Sequence, residues 1–353
     1  MFNPSSTQNQ TPASSPTSSP IARPARRIAF ALGLCAAAAA HAAGPYTLTD
    51  LGSKTFGHGM NADGVVAGEV NYNNVTAAAA LWHPDTATWT TLRLGWTAYA
   101  VNRAGAAVGN DSNHQTLDTA IRWSPSGVPH ALRPDISFSN ASDIDDAGTA
   151  YGYYYNTTDQ RYHAVTWTGD VATELGCPDG YQCAAVTGNG HGVIAGNVME
   201  IFGPLTWPAL VQDGQWNLLP TRGGCGAVYG VNARGHVVGS ACQDASGFTS
   251  HGFIWKDGRV RDLGSLQRDW NSIALAINAH DVIAGQVQQP GTLSKAAVWE
   301  DGTWTVLADV TAGSEGYQFS QAVGIDATGR VLVNASGPDG KVHALVLTPV
   351  VGN

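Results

Sequence analysis

Charge is scarce in this 353-residue chain: Asp, Glu, Lys and Arg together make up 13% of it, about half the usual share. Methionine is rarer still, at three residues. Coiled coils and helical bundles draw on Glu, Lys, Ala and Leu, so this composition excludes them. The net charge of −9 argues against a phosphate-backbone partner, and no nucleic acid is expected. No Walker loop, G-x-S-x-G elbow or H-E-x-x-H pair occurs, so no cofactor, metal or catalytic residue is assigned. The one long apolar run, Ile28 to Ala40, falls short of the roughly 20 residues a spanning helix needs.

That run belongs to an export signal. A Ser/Thr/Pro/Gln lead over residues 1–20 has little to bury and is read as disordered. Arg23, Arg26 and Arg27 then precede the apolar run, and Ala40-His41-Ala42 presents small residues at −3 and −1 of a signal-peptidase site. Residues 1–42 are therefore read as leader plus signal peptide, with cleavage after Ala42 and no membrane anchor remaining. The twin-arginine pattern is incomplete around Arg26-Arg27, and Leu34 before Cys35 does not suit lipoprotein processing. The expected location is periplasmic or extracellular. Cys177, Cys183, Cys225 and Cys242, an even number in an oxidising compartment, are expected to pair as Cys177–Cys183 and Cys225–Cys242. No C-x-x-C pair supports zinc.

What the chain has in abundance is glycine, 42 residues, and it recurs on a schedule. Asn or Asp is followed by Gly three and seven places later at Asn61, Asn102, Asp145, Asn189 and Asn232, and more weakly at Asn278 and Asp326. A second anchor follows as Trp82, Trp123, Trp167, Val211, Trp255, Trp299 and Leu347, and a third as Leu92, Leu132, Leu175, Leu219, Leu263 and Leu307. Each unit reads as four strands: a hairpin at Asn-x-x-Gly, a third strand ending at Trp, and turns such as Asp213-Gly214, Asp257-Gly258 and Asp301-Gly302 into a fourth. Units of this size are propeller blades. The seventh lacks a fourth strand, and Tyr46-Thr47-Leu48-Thr49-Asp50-Leu51-Gly52 supplies one. The expectation is an all-β, seven-bladed β-propeller over residues 43–353, a single domain closed by the N-terminal strand.

These residues resemble the extracellular HAF repeat proteins. Their repeat runs as Asp-Leu-Gly, Ser-x-Ala-x-x-Ile-Asn, x-x-Gly-x-Val-Val-Gly and His-Ala-Phe-x-Trp. Asp262-Leu263-Gly264 through Ser272 to Asn278 is similar to the first half. His163-Ala164-Val165, His251-Gly252-Phe253 and His343-Ala344-Leu345 keep part of the last, and His130-Ala131-Leu132 stands elsewhere in its repeat. The resemblance implies export and a repeat architecture, and it carries over no shared activity.

Histidines at one place in several blades form a ring, which suits a structural role better than a shared metal. Asp143-Ile144-Asp145-Asp146 lacks the full alternation of a calcium loop, and Gly188-Asn189-Gly190-His191-Gly192 reads as a turn because no helix follows it. Variable loops on one face carry the candidate ligand-binding residues Trp96, Phe138, Tyr154, Tyr181, Arg222, Trp270 and Tyr317. Tyr72, Asn113, His114, Tyr153, Tyr155, Arg161, Tyr162, Phe202, Arg268 and Phe319 join them. The function read from the sequence is a non-catalytic scaffold for a glycan, peptide or protein on that face. The alternative is a cell-envelope or extracellular hydrolase or lyase with an acid–base pair at the central funnel.

Overall fold

The computed structural model describes residues 45–72, 77–111, 118–132 and 138–350. The leader, the cleavage site, Asn113 and His114 lie outside them. Seven sheets, six of them built on four consecutive antiparallel strands, form a seven-bladed β-propeller. The first strands of blades 1 to 7 are Thr55–Met60, Thr97–Val101, Ser139–Ile144, Tyr181–Gly188, Gly226–Val231, Asn271–Ile277 and Gln318–Ile325. Blade 7 takes its fourth strand, Tyr46–Ser53, from the N-terminal side of the domain. It pairs antiparallel with Val342–Pro349 from Tyr46↔Pro349 to Asp50↔Leu345. Its outer edge is partly covered by a parallel pairing with Thr311–Ala312. Tyr46 is fully buried in the core shared with Val298, Leu307 and Leu345.

The Asn/Asp anchors explain why every first hairpin is alike. The side-chain oxygen of each accepts from backbone amides within the next turn, as Asn61 does from Asp63 and Val65. The Gly three places on holds a left-handed φ of 80–95° in six blades, where glycine has no Cβ penalty. Asp281 takes that conformation in blade 6. The anchor amide also reaches out of its blade: Asn61 Nδ2 donates to the Asn102 carbonyl, Asn102 to Asp145, Asn232 to Asn278, and Asn278 to Asp326, each at 3.0 Å. The anchor is therefore both a turn cap and a stitch between neighbouring blades.

The second repeated glycine has a different cause. Every first strand carries a bulge three residues before its anchor, at His58, Tyr99, Ser142, Val186, Tyr229, Leu275 and Val323. The bulge pushes a carbonyl towards the opposing strand. A Cβ on Gly109 would lie 1.9 Å from the Thr97 oxygen, and one on Gly285 1.9 Å from that of Ile273. Only glycine fits there. Blade 7 holds Val333 instead, and its first strand has a second register shift, between Phe319 and Gln321.

Trp123 and Trp167 are fully buried between blades. Trp89, Trp216 and Trp304 on fourth strands donate indole N–H bonds to the carbonyls of Leu51, Gly176 and Gly264 in the preceding blade. The turns Asp213-Gly214, Asp257-Gly258 and Asp301-Gly302 have positive φ at both residues, the type I′ geometry that continues strand twist. Both disulfides pair as the sequence suggests, with Cα separations of 5.8 Å for Cys177–Cys183 and 5.3 Å for Cys225–Cys242. The bulge at Tyr229 sets Gly226 opposite Ala241, so the next pair outward is the disulfide itself.

Candidate functional site

First hairpins and third-to-fourth turns emerge at one end of the ring. The loops joining second to third strands, and blade to blade, emerge at the other. On this long-loop face the repeated histidines act as clips. His251 Nδ1 lies 3.1 Å from Asp262, and His343 Nδ1 2.9 Å from Asp50. In each blade the acid opens the Asp-Leu-Gly segment of the fourth strand and also accepts the glycine amide, Gly264 or Gly52. His163 holds the equivalent place beside Glu174, at 3.7 Å. One residue thus ties the third strand to the fourth and shapes the exit of the chain towards the next blade.

The electrostatics of the clips follow from these bonds. Burial pushes Asp50 upward, but the bonds from His343, the Gly52 amide and Tyr317 outweigh it and hold the carboxyl below its ordinary range. Burial likewise raises Asp262, and His251, the Gly264 amide and Arg222 overcome it. His343 is pulled down by burial, yet Asp50 and Asp339 together raise it above the usual imidazole value.

The seven candidate binding residues are spread around this face. Trp96 is half-buried, its backbone amide bonded to the Asn110 carbonyl. Phe138 is exposed, edge-on to Tyr155 at 6.2 Å. Tyr181 is exposed beside the Cys177–Cys183 loop and meets Trp207 edge-on. Trp270 is half-buried, closing a turn on Gln267. Tyr317 donates to Asp50 at 2.8 Å and so belongs to the blade 7 clip. Tyr154 is 3% exposed, stacks on His163 and donates to Glu174; the structure places it in the core beneath the face. Arg222 is exposed, 4.0 Å from Asp262, and lines a pocket of about 200 Å³ with His251, Gln243 and Phe253. The Cys225–Cys242 disulfide and the Gly223 amide bond to the Cys242 carbonyl fix the segment that presents it.

Sequence reasoning missed two of the three most exposed side chains here. Phe202, Phe248 and Leu293 are 94%, 87% and 77% exposed, one each in the second-to-third loops of blades 4, 5 and 6. Only Phe202 was a candidate. The available signal was a large apolar residue beside Gly in a loop, as in Phe202-Gly203 and Gly247-Phe248.

The axial channel is the second place where side chains converge. Its cavity of about 250 Å³ is lined by all seven bulge residues together with Asp143 and Thr187. Blades 1 to 3 contribute His58, Tyr99 and Ser142, whereas blades 4, 6 and 7 contribute Val186, Leu275 and Val323. His58 Nε2 lies 2.9 Å from the buried Glu69, whose same oxygen accepts from Thr97. Burial raises Asp143 above the ordinary carboxyl range, against the bonds it accepts from Thr187, Ile144 and Gly188, and Asp145 adds to the rise. Asp145 itself serves its turn, accepting from the Thr149 amide and the Tyr151 hydroxyl. Among the described residues no group of three or more His, Cys, Asp or Glu side chains is arranged to hold a metal ion.

No family model and no curated protein matches the chain. Solved structures do. The β-propeller domain of the trilobed protease of Pyrococcus furiosus aligns with a TM-score of 0.59 at 8% identity, over 86% of this chain and 93% of that one. The likeness is one of fold. The acylaminoacyl peptidase of Pyrococcus horikoshii gives 0.57 at 10% identity, over 83% of this chain and 52% of that one. A puromycin-hydrolyzing peptidase of Mycobacterium tuberculosis gives 0.55 at 13% identity, over 86% and 54%. The chain spans about half the length of these two peptidases. The Pyrococcus furiosus domain is described as having an open velcro topology, while this ring is closed by Tyr46–Ser53.

Proposed function

We propose that this is an exported, non-catalytic propeller of the HAF repeat kind that binds a peptide or protein across its long-loop face. The distribution of exposed apolar side chains carries this reading. Of the 13 large hydrophobic residues exposed among the described ones, eight sit in long-face loops or their immediate flanks: Leu94, Phe138, Tyr181, Phe202, Leu205, Phe248, Leu266 and Leu293. Apolar side chains gathered on variable loops over a rigid frame suit a partner that supplies apolar surface of its own. Two disulfides, and among the described residues no helix long and apolar enough to cross a membrane, support export.

Peptide and glycan arrays probed with the full chain and with a Phe202→Ser/Leu293→Ser double variant test this. Peptide binding that falls at least tenfold in the double variant is the expected result. Equal binding by both proteins, or binding confined to glycans, removes the proposal. The hydrolase or lyase reading has one observation behind it, the His58–Glu69 pair and Asp143 at the channel. Turnover of an ester, peptide or glycoside library that disappears in Glu69→Gln is the outcome that would favour it.

A further inference from the structure

We propose that blade 5 carries a carboxylate-binding site on the long-loop face, where a ligand carboxylate takes the place beside His251 Nε2 that Asp159 and Asp339 fill in blades 3 and 7. The proposal rests on the long-loop reading and names the chemical group recognised there.

The three clip histidines occupy one position in the repeat but are finished differently. In blade 7, His343 stands between two acids, with Nδ1 2.9 Å from Asp50 and Nε2 2.9 Å from Asp339. In blade 3, His163 has Glu174 at 3.7 Å from Nδ1 and Asp159 at 2.8 Å from Nε2. The second acid comes in both cases from four residues upstream, in the loop between second and third strands. Blade 5 has Gly247 four residues upstream, at a left-handed φ of +70° that neither Asp159 nor Asp339 adopts. His251 keeps Asp262 on Nδ1, but its buried Nε2 has no partner. A buried ring nitrogen without a partner is unfavourable until something meets it.

The surroundings match the missing acid. His251 lines the pocket that Arg222 and Gln243 also line, which places a fixed cation and an amide beside the imidazole. A carboxylate entering there completes the acid–histidine–acid arrangement already built into blade 7, and Arg222 balances the second negative charge. A guanidinium makes charge-assisted bonds to a carboxylate. The exposed Phe248 in the same loop offers apolar contact to whatever carries the acid.

Two sources share this chemistry, a peptide C-terminus and an acidic sugar. The full chain is titrated with a short peptide ending in a free carboxylate, the same peptide amidated, glucuronate and glucose, following the His251 ring nitrogens by NMR. Binding by an acid and not by its neutral counterpart is expected, and the arm that responds identifies the source. Arg222→Ala, at an exposed residue, should weaken that binding about tenfold. Gly247→Asp should abolish it by supplying the acid within the chain. The space at residue 247 is open, with only Cys225 Sγ at 4.0 Å, and Asp tolerates the φ of +70° there better than most residues. Equal binding of acid and neutral probes, absence of any perturbation at His251, or unchanged binding in a folded Gly247→Asp protein overturns the site. If array binding still depends on Phe202 and Leu293 while the acid probes fail, this inference falls and the long-loop reading stands.

Discussion

The two ends of the ring are built under different rules. At the hairpin end an Asn or Asp caps its own turn in every blade, and Asn61, Asn102, Asn232 and Asn278 also donate to the next blade. At the long-loop end the loops diverge: four residues before the clip histidine, blades 3 and 7 have Asp159 and Asp339 but blade 5 has Gly247. Uniformity marks where the backbone dictates the residue. Divergence marks where the backbone is indifferent and a partner can be accommodated.

That contrast is broken most severely at the bulges. Gly109→Ala forces a Cβ to within 1.9 Å of the Thr97 oxygen and is expected to cost about 3 kcal/mol or more, or to prevent folding. Thermal melts compared with Gly291→Ala, whose added Cβ meets nothing within 4 Å and which carries only the penalty of a left-handed φ of +79°, about 1 kcal/mol, give the measure. A similar Tm for the two variants would mean that the bulge is not what fixes glycine. Asn102→Ala comes next. It removes a turn cap and a buried inter-blade donor together, for an expected loss of about 2 kcal/mol by denaturant titration.

The clip in blade 7 predicts a pH dependence at the ring closure. His343 is held above its ordinary value, so the stability it adds is complete below about pH 6.5 and is lost as pH rises through the raised value. Asp50 is held below its ordinary value, so its share is present above about pH 3.9 and fades as pH falls. The closure is therefore firmest between those limits. Amide exchange along Tyr46–Ser53 should accelerate on the alkaline side beyond the intrinsic rate, and His343→Gln should remove that excess. Persistence of the excess in the variant would detach the closure from the clip. The smallest effect belongs to the long loops: Phe248→Ser and Leu293→Ser should each shift stability by no more than about 0.5 kcal/mol. A larger loss by calorimetry would show these residues to be structural.

The same division governs what could be read from sequence. Blade number, four-stranded units, the displaced strand at Tyr46–Ser53 and both disulfides were legible, because backbone geometry imposes its residues at every recurrence. The bulge was half legible. Gly68, Gly109 and their equivalents recur visibly, but their reason is a carbonyl on the neighbouring strand. Tyr154 reads from the sequence as a loop aromatic, yet the strand Thr149–Asn156 runs through it and turns it inward against His163. The unpartnered nitrogen of His251 was not legible as such. It depends on which loop atoms reach a ring, and its only trace is Gly247 where two sister loops have aspartate.

Closure by Tyr46–Ser53 also has a mechanical side. Tyr46 and Pro349 pair directly, so the start of one strand and the end of its neighbour leave the sheet at the same corner. Tension applied through those two points would load the ladder one hydrogen bond at a time, from Tyr46 inward to the His343 clip. The ring is therefore weak against a pull at that corner, and would unzip there before any other blade yields.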